Sequence, residues 1–260
     1  MNQPPPLAYY LSEALSHDYF VPLIVTSMTK GKFKSMNLPF GLGKTTLALW
    51  ISYVLHGKDW DKTFADLTYY PSEMVDILVP NKDGLEKRPA VVADDLQLTC
   101  PADVSVPRVV RRLAGYLSTN RPEVSVLIMT APNISSIAAP LRRLVAFELI
   151  VWERGHYEVQ QIVYHKNFRN PLQDLMNLQF VEGKSGDGED ATTFDPLPTE
   201  ILQRYNTWRA EKKAPYAAEL KKELLNYERK RGMEEAPTEA KVKEAAQIMV
   251  AARRAKRRAV

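Results

Sequence analysis

The chain has 260 residues, 45% hydrophobic and 25% charged with a net charge of +4, enough to bury a core as one domain with an appendage and too apolar to be disordered throughout. The longest apolar candidate, Leu144–Trp152, has Glu148 inside it, so no membrane-spanning helix is expected, and MNQPPPLAYY lacks the basic start and apolar run of a secretory signal. One cysteine, Cys100, and four scattered histidines exclude an internal disulfide and a zinc site of ordinary spacing, and point to a reducing, cytoplasmic compartment.

Over residues 1–180 short β-branched runs alternate with helical patterns, as expected of an α/β domain on a mainly parallel sheet. Pro22–Thr26 is the first strand, and the basic TKGKFKSMN, with Lys30, Lys32 and Lys34, follows it. Either the approach to the next motif is remodelled or Lys34–Leu38 forms the end of a strand. Gly41-Leu42-Gly43-Lys44-Thr45-Thr46 then leads into LALWISYVLHG, an amphipathic helix that stops at Gly57. This is the pattern of a Walker A loop. Its glycines let backbone N–H groups turn inward around phosphates, and the helix offers them its positive N-terminus. Lys44 is expected to reach the β- and γ-phosphates of ATP and Thr45 to ligate Mg²⁺. The glycine that GxxxxGK[ST] wants ahead of Gly43 is replaced by Leu38.

Leu67–Tyr70 is the second strand candidate, and Ala90–Ala93 the third, running into Asp94-Asp95. A strand ending in two carboxylates, about fifty residues after the P-loop lysine, fits a Walker B motif. Asp94 is expected to hold Mg²⁺ through water, and Asp95, where glutamate is usual, to polarise the attacking water. Arg108, Arg111 and Arg112 fall at one-turn spacing on the next helix and either line a nucleic-acid path or face water. Val124–Thr130 is the fourth strand; Thr130 or Asn133 at its end is placed to hold the water in line. A helix over Ile134–Ala139 leads to Arg142 and Arg143, which by position alone read as a surface pair at a helix end. Val145–Val151 is the fifth strand, and a turn at Glu153–His156 makes a hairpin that finishes the sheet.

Residues 181–200 are acidic and rich in glycine and proline, and read as a linker or exposed loop. Beyond them lie three helical patterns, Glu200–Lys213, Tyr216–Arg231 ended by Gly232, and Thr238–Arg258, separated by Pro215 and Pro237. The last two admit a helix-turn-helix reading. Residues 201–260 carry 16 Lys and Arg against 8 Asp and Glu, whereas residues 1–200 carry 19 against 23. The basic character is concentrated at Arg253, Arg254, Lys256, Arg257 and Arg258, which either attract phosphates or merely keep the terminus soluble.

The segments FGLGKTTLALW, GKDWDKTFADLTYYPSEMV, AVVADDLQL, RRLAGYLSTNRPEVSVLIMTAPN and LPTEILQRYNTWR resemble P-loop ATPases of the AAA+ type over about residues 30–210. The likeness is nearest to small ATPases of crenarchaeal viruses and plasmids, and more distant to replication initiators and helicase loaders. It implies a three-layer sandwich with a helical C-terminal extension and an oligomer in which Arg142 or Arg143 is a trans arginine finger. It also implies an ATP-hydrolysing, DNA-associated role in replication, partition or maintenance of a mobile element. Two other readings stand beside it: a genome-packaging or conjugation ATPase that translocates DNA, and a nucleotide-gated interaction protein with little hydrolysis.

Overall fold

Val21–Ser27 (β1), Leu67–Thr68 (β2), Arg88–Ala93 (β3), Val124–Thr130 (β4) and Phe147–Glu153 (β5) lie side by side with His156–His165 (β6) and Leu175–Phe180 (β7), in the order β2-β3-β4-β1-β5-β6-β7. This computed structural model describes residues 5–15, 17, 19–28, 41–79, 87–102, 108–119, 123–165, 175–180 and 193–235. The chain divides into two compact units, Met1–Leu202 and Gln203–Val260. In the first, β1 pairs in parallel with β4 and β5, and β3 in parallel with β2 and β4. The β5–β6 and β6–β7 pairs are antiparallel. The domain is therefore mixed α/β on a mostly parallel sheet. β1, β3 and β4 are buried on both faces, which is why they read as continuous apolar runs rather than alternating ones.

The helices take both faces. Lys44–Leu55 (α2) packs on β1, β3 and β4, with Pro6–Leu15 (α1) and Trp60–Ala65 (α3) on its outer side. Eight of its twelve residues are buried, Leu47 to Ser52, Val54 and Leu55, so it is apolar nearly all round, as a helix between two layers must be. Pro71–Leu78 (α4), Arg108–Thr119 (α5) and Ala139–Arg142 (α6) share a second core with Ile24, Val91, Ala93, Leu127 and Met129. The two-residue β2 is held to β3 by Thr68, whose Oγ1 donates to Val92 O at 3.0 Å, and by the pair of Arg88 Nη1 with Asp66 Oδ1 at 2.6 Å.

Several elements differ from their sequence expectation for local reasons. The strand expected to Tyr70 ends at Thr68, because Pro71 opens α4 and Glu73 Oε2 accepts from Tyr69 N and Tyr70 N at 2.9 and 3.2 Å. In place of one helix over Ile134–Ala139 there is a single 3₁₀ turn, Ile134–Ser136, and then α6. Pro140 has no N–H to donate and is tolerated only in a first turn, so the helix begins afresh at Ala139. The fifth strand starts two residues late, at Phe147, and the hairpin turn is the dipeptide Arg154-Gly155. Neither α1 nor β7 was expected. Of the segment expected to be a linker, residues 181–192 lie outside the described residues. Thr193–Leu197 belong to the first unit, with Phe194 and Leu197 buried.

The helix Thr199–Glu235 (α7) makes up all of the second unit's described chain, from Gln203 onward. It runs through Pro215 and Gly232, which were expected to interrupt and end it. The backbone around Pro215 is exposed, so water can take the carbonyl that loses its partner, and Ala, Glu, Lys and Leu on either side favour helix strongly enough to bridge the gap. Residues 238–258, including the expected third helix, the helix-turn-helix reading and the basic cluster, lie outside the described residues.

Candidate active site

β1 lies between β4 and β5, and β4 lies between β1 and β3. The C-terminal ends of β1, β3 and β4 therefore open on one edge of the sheet, where chain connections diverge to either side of β1. Such a switch point is where parallel α/β sheets leave a crevice. The start of α2 faces it. Gly41 and Gly43 have φ of 77° and 102°, left-handed values that cost any other residue strain. Gly43 is the N-cap residue of α2, and no side chain caps that end by a hydrogen bond, which leaves first-turn N–H donors for an anion. Leu42, Lys44, Thr45 and Thr46 are half-buried along this turn, and Gly41 is exposed.

Lys44 Nζ donates to Ser27 Oγ, the last residue of β1, at 3.2 Å. Thr45 Oγ1 donates to Asp94 Oδ1 at 2.9 Å, and Thr130 Oγ1 donates to the same oxygen at 2.7 Å. Asp95 N in turn donates to Thr130 Oγ1 at 2.9 Å. Asp94 and Thr130 are fully buried and Asp95 nearly so. One threonine at the end of β4 thus fixes both halves of the carboxylate pair at the end of β3, orienting the side chain of Asp94 and the backbone of Asp95. The backbone of Asp95 is left-handed, with φ 51° and ψ 39°. Gln97 Nε2 reaches Asp95 Oδ1 only at 3.5 Å.

The structure brings together Lys44, Thr45, Asp94, Asp95 and Thr130. Asn133 is exposed, its Oδ1 accepting from Ser135 Oγ at 2.6 Å. Arg142 and Arg143 end α6 close to where Ala146 N donates to Pro22 O at 2.8 Å, at the opposite edge of the sheet. That is five residues, about 16 Å of strand, from Ser27. Arg108, Arg111 and Arg112 sit on the exposed face of α5, opposite Val110, Leu113 and Leu117. Lys30, Lys32, Lys34 and Leu38 lie outside the described residues.

Two residues at the loop went unread in the sequence. Arg154 Nε donates to Gly41 O at 3.2 Å from the β5–β6 turn. Phe194 Cζ lies 3.4 Å from where a Cβ on Gly43 would stand. The strap that carries Phe194 is tied down by Phe194 N donating to Gly155 O at 2.9 Å and by Trp50 Nε1 donating to Asp195 O at 2.8 Å. Gly43, the residue immediately before the lysine, is the one local sign that something approaches there.

The donor set suits Mg²⁺. Thr45 and Asp94 supply a hydroxyl and a carboxylate already within hydrogen-bond distance, hard oxygen donors of the kind Mg²⁺ takes while keeping waters and substrate oxygens for the rest of its shell. Among the described residues no group of three or more His, Cys, Asp or Glu forms a closed metal cage. No described helix is long and apolar enough to cross a membrane.

No protein-family model matches the sequence, and no curated protein matches it. Among solved structures the chain is similar to the N-terminal domain of zonular occludens toxin from Neisseria meningitidis. That likeness has 14% identity over 64% of this chain and 96% of the other, with a TM-score of 0.32. It is also similar to EssC (ATPases 2 and 3) from Geobacillus thermodenitrificans at 10% identity, over 82% of this chain and 41% of the other, with a TM-score of 0.25.

Proposed function

We propose that this protein binds ATP with Mg²⁺ at the start of α2 and hydrolyses it, as a P-loop ATPase of the AAA+ type. The observation that carries the reading is the joined set of side chains at one sheet edge: Lys44 on the end of β1, and Thr45 and Thr130 both on Asp94. In this reading the uncapped N–H groups of α2 and the Lys44 ammonium take the phosphates. Thr45 and Asp94 hold Mg²⁺, which when bound neutralises charge on the phosphate oxygens. Asp95 accepts a proton from water. Thr130 is a positioning residue that keeps the two aspartates apart in role, Asp94 on the metal and Asp95 for the attacking water.

The protein acts on DNA as an oligomer of a mobile element's replication, partition or maintenance machinery, and Arg142 or Arg143 of one copy serves the site of the next. Support for the DNA partner is the division of charge, with the excess of Lys and Arg confined to residues 201–260. The first test is Lys44→Ala. Loss of binding of a fluorescent ATP analogue, by about a hundredfold, is expected from removing the charge-assisted contact. A variant that binds the analogue like the wild type overturns the reading.

A further inference from the structure

We infer that Arg154 is a same-chain phosphate-binding arginine, resting on the P-loop carbonyl of Gly41 and delivered to the nucleotide's terminal phosphates by the β5–β6 turn. The inference rests on the ATPase reading above and adds to it a catalytic group from a different element. β5 is the immediate neighbour of β1, and Met28 N donates to Val151 O at 3.1 Å, so the end of β5 is locked to the strand that leads into the loop. The β5–β6 pairing shifts register between Val151 and Glu153, a bulge of the kind that re-aims a side chain. The turn that follows needs Gly155 at φ 81°, where an added Cβ would meet Phe194 O at 3.1 Å. Phe194 N closes it from outside.

The turn that carries this guanidinium is fixed by two strands and a strap, and Arg154 itself is exposed. Among the described residues it donates one N–H, to Gly41 O at 3.2 Å, with Nη2 4.0 Å from where a Cβ of Gly41 would stand. A neutral carbonyl takes one of its five donors. Phosphate oxygens accept them in pairs and carry full charge, so a phosphate seated on the N–H groups beside Gly41 outcompetes that carbonyl. When the bond from the γ-phosphorus to its bridging oxygen breaks, negative charge builds on the β-phosphate. An arginine there lowers the barrier, and a water oxygen bonds to phosphorus while its proton passes to Asp95.

The experiment uses the full chain, with Arg154→Ala, Arg154→Lys and Lys44→Ala variants. Arg154→Ala is expected to keep Mg²⁺-ADP affinity within about threefold, to lose slow release of an ADP–fluoroaluminate complex, and to hydrolyse ATP about 10³-fold more slowly. Arg154→Lys recovers only part of this, because an ammonium does not reproduce the fork, and guanidinium added in solution raises the activity of Arg154→Ala. Mixing Arg154→Ala with Lys44→Ala gives no gain over the separate activities, since a same-chain arginine cannot serve another subunit's loop. Recovery on mixing overturns the same-chain assignment. Wild-type hydrolysis and fluoroaluminate trapping by Arg154→Ala overturn the inference while leaving the ATPase reading intact, provided Lys44→Ala fails to bind; a Lys44→Ala chain that binds normally removes both.

Discussion

Asp95 holds a left-handed backbone that costs most residues about 1–2 kcal/mol, and that aspartate and asparagine adopt more readily than others. The conformation turns its N–H to Thr130 Oγ1. Asparagine fits the same backbone, so Asp95→Asn changes the charge and leaves the turn. ATP affinity should stay within about threefold and turnover should fall by about 10²–10⁴, the range for a lost general base. Equilibrium binding beside a phosphate-release assay separates the two, and unchanged turnover would remove Asp95 from the chemistry.

β5 carries an unusual burden for a strand with neighbours on both sides. Glu148 is 5% exposed and accepts from Thr26 Oγ1 at 2.6 Å. Burial pushes its carboxyl above the ordinary value of 4.5; the Thr26 hydroxyl opposes the shift, and nearby Glu158 adds to it. Such a carboxyl binds its proton more tightly folded than unfolded, so its contribution to stability is complete below about pH 4.5 and fades as pH rises through the raised folded value. Glu148→Gln keeps the shape and removes the ionisation. Its melting temperature should match the wild type near pH 4 and exceed it by a margin that grows towards neutrality; a margin constant with pH would refute this.

The same strand shows where sequence reading stops. The runs around Leu23, Val91 and Leu127 are legible because a strand buried on both faces must be apolar at every position. The neighbourhood of Lys44, Thr45, Asp94 and Thr130 is legible because each sits at a fixed offset from such a run. Arg154 and Phe194 have no signature in their own stretches of sequence. What brings them to the loop is the pairing of β5 with β1 and the hydrogen bond from Phe194 to Gly155, contacts between residues far apart in the chain. Pro215 misled in the other direction: its local cost is real, but the helix around it is long and solvated enough to absorb it.

For the molecule as a whole the charge division sets the expectation. Residues 241–260 hold seven Lys and Arg and one Glu, so in a DNA-binding protein they should supply much of the affinity, and supply it electrostatically. Each phosphate contact contributes about −0.9 to the slope of log affinity against log salt. Deleting residues 241–260 should flatten that slope, leave any sequence preference unchanged and spare ATP binding. Anisotropy titrations at several salt concentrations measure it. An unaltered slope refutes the tail's role, and a defect instead in the Lys30, Lys32 and Lys34 triple alanine variant moves the DNA path to the segment before the P-loop.

The strap across the P-loop also has a consequence for how the protein is made. Gly41 meets Arg154, and Trp50 meets Asp195, 145 residues later. At the pace of ribosomal synthesis that interval lasts on the order of 10 s. Throughout it the nascent loop lacks the arginine, the aromatic cover or both, although the residues of β1 and α2 have already been made. The ribosome therefore decides when the phosphate cradle is finished, and chains truncated before the strap emerges never present a finished one.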